Sequence, residues 1–168
     1  PHWIRSDAMK ETHTLFISAG EVSGDRLGAA FLTAFRQRVS AANHHVTWVG
    51  MGGPDMQRET SGALLDMQAV QTAGLLEWLP KTPRLARRFA NLVRYLVQQR
   101  PALAVLVDFP DFHLRLAGLC RGLGIPVLYI GAPQCWAWRP QRTTLLKKRV
   151  DRLACLFPFE EQWFRERG

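Results

Sequence analysis

The stretch LFISAGEVSGDRLGAAF, from Leu15 to Phe31, predicts how this chain of 168 residues begins to fold. It opens with a short apolar run typical of a buried strand, continues through a turn of small residues, and ends with apolar side chains at helical spacing. Its glycines follow G-x-x-x-G-x-x-x-G, which is neither the dinucleotide-binding pattern G-x-G-x-x-G nor the P-loop pattern. We therefore predict a strand, a turn and a helix, and the glycine spacing disfavours a nicotinamide or ATP site.

The same alternation continues along the chain. Strands are predicted at Leu15–Ser18, Val46–Val49, Leu103–Val107, Val127–Ile130 and Leu153–Phe157. Apolar stripes with helical spacing lie between most of them, from Leu85 to Leu96 and from Phe112 to Leu119. Alternating strands and helices favour right-handed crossovers, so the predicted fold is an α/β domain with a doubly wound parallel sheet and helices on both faces.

Length and composition suit one domain. Residues 1–10, PHWIRSDAMK, have no apolar signal core and contain Met9 as a candidate start, so we treat them as a tag or disordered leader and assign residues 11–168 to the domain. No apolar run approaches the roughly 18 residues of a membrane-spanning helix. The three cysteines form no C-x-x-C pair, which argues against a disulfide framework and a thiolate metal site and fits a reducing cytoplasm.

The net charge of +8 is unevenly distributed. From Leu79 to Val107 there are six basic residues and no acidic one, and from Arg139 to Arg152 six basic residues accompany only Asp151. Such stretches attract nucleic acid, anionic lipid or phosphorylated substrates, or they simply form a solvated helix face. Charge alone leaves these alternatives open.

Unusual residues follow the predicted strands. Ligands of open parallel sheets bind beyond the carboxyl ends of the strands. The five segments there are AGEVSGD, GMGGPDM, DFPDF, GAPQCWAWR and PFEEQWF, whereas the opposite edge has plainer connections such as GLGIP. This asymmetry predicts a binding crevice at the carboxyl edge.

The first of these segments has two interpretations. In the structural one, Gly20 makes the turn, Ser23 caps the first helix, Asp25 lies near the positive end of the helix dipole, and Gly28 allows close packing. In the functional one, the backbone amides at this helix start receive an anionic or sugar group. Glu21, in the turn itself, has no evident structural duty.

The segment VDFPDFH places two carboxylates three residues apart. Asp111 is well placed to cap the following helix. Asp108 ends a strand beside aromatic rings, where a raised pKa suits a general base, although a structural role stays open for it. We expect His113 to be an ordinary helix residue, since no metal-ligand partner lies near it in sequence.

The segment WAWRPQR combines two tryptophans, Trp136 and Trp138, with Arg139 and Arg142. Tryptophans commonly belong to the core. In a loop after a strand, however, indole rings beside guanidinium groups also suit a sugar ring and a phosphate. Both interpretations stay open from the residues alone.

Taken together and in order, these segments resemble the lipid-A-disaccharide synthase family. The matching stretches run from about Leu15 to Phe164 and are SAGEVSGDRLGA, VGMGGPDMQ, DFPDFHLRLA, APQCWAWR and FPFEEQWF. The resemblance implies an inverting glycosyltransferase of the GT-B type, with two Rossmann-like halves around a crevice and with neither a metal nor another cofactor. Its members transfer 2,3-diacylglucosamine from UDP to 2,3-diacylglucosamine 1-phosphate.

The resemblance also implies roles for individual residues. Asp108 matches the family's candidate catalytic base. Substrate contacts are expected from residues in the matching motifs, namely Gly20, Glu21, Ser23, Gly24, Asp25, Asp111, Trp136, Trp138 and Arg139. Two departures stand out: His113 replaces an asparagine of close relatives, and family members are about twice as long. We therefore expect the amino-terminal, acceptor-binding half, with the UDP-binding half downstream of Gly168.

A membrane contact is a further expectation. The predicted helix around Leu85 to Leu96 combines apolar residues with Arg84, Arg87, Arg88 and Arg94, which would let it rest on an anionic bilayer. The protein would then be cytoplasmic and peripheral to the inner membrane, without a nucleic-acid partner. Three alternatives remain at this point: a merely solvated helix, a non-catalytic module that binds an anionic glycolipid or membrane surface, and a nucleotide-binding domain of an oxidoreductase.

Overall fold

The computed structural model describes residues 12–41, 45–62, 64–67, 83–137 and 140–168. The predicted leader at 1–10, Trp138 and Arg139 lie outside these residues, and within α3 the side chains of Arg84 and Arg88 are not described.

Six parallel strands form one sheet. They are β1 (Thr12–Ala19), β2 (His45–Gly52), β3 (Leu64–Asp66), β4 (Ala104–Val107), β5 (Val127–Ile130) and β6 (Arg152–Ala154). Their order across the sheet is β3-β2-β1-β4-β5-β6, and every pair of neighbours is parallel. This confirms the Rossmann-like, doubly wound parallel sheet predicted from the sequence.

Helices cover both faces of the sheet. They are α1 (Val22–Ala41), α2 (Pro54–Glu59), α3 (Pro83–Gln99), α4 (Pro110–Gly122), α5 (Arg142–Arg149) and α6 (Pro158–Arg165). Because side chains alternate along a strand, Ile17 packs with residues of α1 and α2, while its neighbour Phe16 packs with residues of α3, α4 and α5. None of the described helices is long and apolar enough to cross a bilayer.

Some predicted boundaries were wrong. The strand predicted at Leu153–Phe157 already ends at Ala154, and exposed residues lead from there into α6. Helix α1 begins at Val22, so Ser23 lies inside its first turn and not at the cap. Phe109, and not Asp111, occupies the cap position of α4. The short elements β3, α2, α5 and α6 were not predicted, because stretches of three to eight residues carry little periodicity.

The strand order reverses between β1 and β4. From this point the chain extends through β2 and β3 to one edge of the sheet, and through β5 and β6 to the other. The last residues of the two central strands, Ala19 and Val107, are direct partners in the sheet. Open α/β sheets leave a crevice at such a reversal, and here Glu21 and Asp108 follow the two strands that border it.

Candidate functional site

The turn after β4, formed by Asp108 and Phe109, has an unusual backbone. Both residues have positive φ angles, 51° and 53°, which side chains other than glycine rarely adopt. Each such residue costs roughly 1 kcal/mol or more, and surrounding contacts must offset that cost. The Asp108 N–H donates to the Ile130 carbonyl at 2.8 Å, and the Tyr129 hydroxyl donates to the Asp108 carbonyl at 2.7 Å. These bonds hold the aspartate turn against β5.

The side chain of His113 also holds the turn of Asp108 and Phe109. Its side chain is fully buried, with Nδ1 at 2.6 Å from the Asp108 carbonyl oxygen and Nε2 at 2.9 Å from Ser18 Oγ. Burial lowers the pKa of His113 to about 4, so the ring is neutral at neutral pH. Since a carbonyl oxygen only accepts, Nδ1 must carry the proton, and Nε2 accepts from the Ser18 hydroxyl. His113 lies in a helix as predicted, but its contact with the turn was not predicted.

Two carboxyl groups border the crevice. Burial raises the pKa of the half-buried Asp108, and a hydrogen bond from the Phe109 backbone opposes this only in part. The pKa of Glu21 is also raised, by burial first and then by the negative charge of Asp108. The negative charge of Asp108 therefore acts on Glu21 across the ends of β1 and β4. A carboxylate with a raised pKa is a stronger base than an ordinary one.

The glycines of the first segment allow this close arrangement. A Cβ atom on Gly20 would overlap the ring of Phe109, so only glycine lets the two turns approach. A Cβ atom on Gly24 would lie 3.3 Å from the Val107 carbonyl oxygen, which is tighter than ordinary contact. Both glycines thus have a packing role, and the prediction that they contact substrate stays a prediction.

Asp25 holds a neighbouring loop. Its buried carboxylate accepts hydrogen bonds from three backbone N–H groups at the start of α2, those of Gly53 at 2.8 Å, Asp55 at 3.0 Å and Met56 at 3.1 Å. The side chain therefore supplies the N-terminal capping of α2 from a distant part of the chain. Its predicted substrate contact stays a prediction, as does that of Ser23, which is exposed on α1.

Trp136 lies at the far side of the same sheet edge. It is 42% exposed, its indole Nε1 donates to Glu160 Oε1 at 3.3 Å, and its ring meets that of Phe159 edge-on at 5.2 Å. The other oxygen of the buried Glu160 accepts from the N–H groups of Leu156 and Phe157, both at 3.1 Å. The indole of Trp136 is thus held by Glu160 and partly exposed, so it could stack on a ligand.

Asp111 and Arg142 form an ion pair between the beginnings of α4 and α5. The Arg142 side chain is only 15% exposed, so this pair is better shielded from solvent than most surface pairs. It ties the loop containing Trp136 to the helix that follows the aspartate turn. The substrate contact predicted for Asp111 stays a prediction.

Two further observations concern the predicted membrane contact and the side chains that could hold a metal ion. Arg87 and Arg94 are exposed on α3, as a membrane contact would require. Within the described ranges, no three His, Cys, Asp or Glu side chains are grouped so that they could hold a metal ion.

Comparison with known proteins identifies the family. The family described as lipid-A-disaccharide synthetase matches residues 15–168. The chain is 39% identical to the lipid-A-disaccharide synthase of Myxococcus xanthus (strain DK1622), over 92% of this chain and 39% of the relative. It is 41% identical to that of Koribacter versatilis (strain Ellin345), over 90% of this chain and 39% of the relative.

The chain thus spans about two fifths of the length of these relatives. The match extends over nearly all of the described sheet and includes both turns that border the crevice. It leaves the oxidoreductase alternative without support. The chain therefore belongs to the lipid-A-disaccharide synthase family, a GT-B glycosyltransferase family of lipid A biosynthesis.

Proposed function

We propose that this chain is the amino-terminal, acceptor-binding half of an inverting glycosyltransferase. The complete enzyme would transfer 2,3-diacylglucosamine from UDP to the 6-hydroxyl of 2,3-diacylglucosamine 1-phosphate, giving lipid A disaccharide 1-phosphate and UDP. Family membership supports the reaction class. The crevice where the strand order reverses supports the location of the site, because open α/β sheets bind ligands there.

Asp108 is the proposed general base, and its setting carries the proposal. It directly follows the central strand β4, it is half-buried beside Phe109, and its pKa is raised by burial. Its carboxylate would take the proton of the acceptor hydroxyl while that oxygen attacks the anomeric carbon of the donor from the face opposite UDP. The bond from that carbon to the UDP oxygen breaks as the new bond forms, so UDP leaves with the electron pair and the configuration inverts.

The remaining residues would position the acceptor. Glu21, next to Asp108 and partly exposed, is suited to accept hydrogen bonds from sugar hydroxyls. The exposed indole of Trp136 is suited to stack on a sugar ring. The set that the family motifs imply is completed by Gly20, Ser23, Gly24, Asp25, Asp111, Trp138 and Arg139.

Replacement of Asp108 tests the assignment of the base. The test uses a chimaera in which this chain replaces the corresponding segment of the Myxococcus xanthus relative, and it follows the release of UDP. For Asp108→Asn we expect kcat to fall by about 10²- to 10⁴-fold with little change in KM, since general base catalysis contributes on this scale.

The pH profile provides a second readout. Because the pKa of Asp108 is raised, the rate should fall as the pH falls through a value above the usual 3.8 of an aspartate. Asp55→Asn is the matched control, because that side chain pairs with Arg58 at the surface of α2. An Asp108→Asn chimaera that kept most of its rate would remove Asp108 from the role of base and would favour a non-catalytic glycolipid-binding module.

We also propose that α3 brings the protein to the anionic surface of the inner membrane from the cytoplasmic side. Arg87→Gln with Arg94→Gln should reduce sedimentation with phosphatidylglycerol vesicles by several-fold at low salt, because basic residues near such a surface each contribute about 1 kcal/mol. Arg36→Gln with Arg38→Gln, on α1, removes the same charge from another helix. Equal binding of wild type to neutral and anionic vesicles would contradict the electrostatic part of this proposal.

A further inference from the structure

A cavity of about 470 Å³ lies between α4 and α5, away from the residues of the proposed site. Four of the five residues that line it are cationic: Arg115 and Arg121 on α4, and Lys148 and Arg149 on α5. The fifth is Gly118. We call this cavity the basic pocket.

The two helices are shaped to bring these charges together. Arg115, Gly118 and Arg121 are three residues apart, so they lie on one face of α4. A Cβ atom on Gly118 would lie 3.2 Å from Arg149 Nε, so glycine makes room for the guanidinium against α4. Arg149 Nη1 also donates to the Leu114 carbonyl at 2.9 Å. The Arg149 guanidinium is therefore held in place within the pocket, and most of its N–H donors are not used in that bond.

The carboxylate of Asp151 borders the pocket. Asp151 pairs with Arg121 at 3.1 Å, but its other oxygen accepts the Val127 N–H at 2.8 Å. Lys148 and Arg149 have no carboxylate partner among the residues that the structure describes. Cations gathered in one cavity repel each other, and a bound anion would convert this repulsion into attraction.

Helix-end stabilisation explains only part of the arrangement. Cations in the last turn of a helix interact favourably with its dipole, which accounts for Arg121, Lys148 and Arg149. It does not account for the close approach of the Arg149 guanidinium to α4 at Gly118. Nor does it account for a glycine within a helix, where that residue costs about 1 kcal/mol relative to alanine.

The pocket is separate from the crevice. Helix α4 begins beside the aspartate turn, and at 1.5 Å per residue the pocket's residues on α4 lie from roughly 8 Å (Arg115) to roughly 16 Å (Arg121) along its axis. An anion held between Arg121 and α5 would thus lie well away from the reacting atoms at Asp108.

We propose that the basic pocket binds a phosphate group, either that of a free phosphate compound or that of a lipid head group. Guanidinium groups match phosphate oxygens with paired, charge-assisted hydrogen bonds, and a lysine adds a point charge. The proposal does not depend on the glycosyltransferase function.

The test compares two variants of this chain that lose the same charge. Arg115→Gln with Lys148→Gln alters exposed residues of the pocket, while Arg26→Gln with Arg38→Gln alters exposed residues of α1 on the opposite face. Inorganic phosphate is titrated at constant ionic strength, and the amide signal of Gly118 and the Nε signal of Arg149 are followed by NMR. A parallel experiment measures sedimentation with vesicles of phosphatidylglycerol and of phosphatidylcholine.

We expect saturable shifts at Gly118 and Arg149 in the wild type and in the α1 variant. In the pocket variant the affinity should fall by about tenfold or more, because charge-assisted hydrogen bonds are lost. If the pocket variant also loses binding to phosphatidylglycerol vesicles, the ligand is a head group; if it keeps that binding, the ligand is a free phosphate compound. The proposal is overturned if the wild type shows no saturable shifts, or if both variants lose affinity equally.

Discussion

At the scale of single residues, the turn of Asp108 and Phe109 is held by hydrogen bonds with residues that lie later in the chain. Asp108 was identified because it ends an apolar run and precedes aromatic residues, and the raised pKa agrees with that environment. Its positive φ angle and its support by Ser18 and His113 could not be predicted. This support involves two residues, Ser18 and His113, that are 95 positions apart in the chain and meet because β1 and β4 are neighbours.

His113 gives a prediction about stability and pH. Its pKa is about 4 in the folded protein and about 6.5 when unfolded, so the unfolded state binds more protons between these values. The contribution of neutral His113 is fully present above pH 6.5 and is lost as the pH falls towards 4. The loss is on the order of 3 kcal/mol in the free energy of unfolding, from a shift of about 2.5 pKa units.

The measurement is urea unfolding at pH 7.5 and pH 4.5. Since the raised pKa values of Asp108 and Glu21 have the opposite effect on acidification, the informative quantity is the difference between wild type and His113→Asn. We expect the variant to lose much less stability on acidification than the wild type. His45→Asn, at an exposed position, should behave like the wild type. The same pH dependence in His113→Asn and wild type would show that His113 is not the group responsible.

At the scale of elements, periodicity predicted the long helices and the buried strands. Strand β5 was predicted with its observed bounds, since Val127–Ile130 is a continuous apolar run bounded by turn residues. The short helix α2 was not predicted, because its start is stabilised by the side chain of Asp25 from α1 and not by a local capping residue. The sequence predicts that Asp25 stabilises its own helix, α1, through the helix dipole. In the structure its carboxylate accepts hydrogen bonds from the start of the next helix, α2.

Asp25→Ala should therefore lower the stability of the protein without altering Asp108, the proposed base. The change leaves three backbone N–H groups at the start of α2 without their acceptor, and we expect a loss of about 1–3 kcal/mol in the free energy of unfolding by urea. Asp55→Ala, which removes only an exposed ion pair with Arg58, should cost under about 1 kcal/mol. Equal losses in the two variants would mean that Asp25 does not stabilise α2 as described.

At the scale of the whole molecule, a doubly wound parallel sheet could be predicted because alternating strands and helices with right-handed crossovers permit few topologies. The place where the order reverses could not be read from any single segment. It appears only when the two central strands are paired, and this pairing brings the turns of Glu21 and Asp108 together. The family motifs lie at these strand ends, which is why the resemblance and the geometry indicate the same crevice.

The most direct test of the central claim is a calorimetric titration of this chain. The chain is titrated with 2,3-diacylglucosamine 1-phosphate, kept below the micellar concentration of this glycolipid, and in parallel with UDP. An acceptor-binding half should bind the glycolipid saturably and show no heat of binding with UDP. Binding of UDP without binding of the glycolipid would contradict the account, because it would assign this chain to the donor side of the reaction.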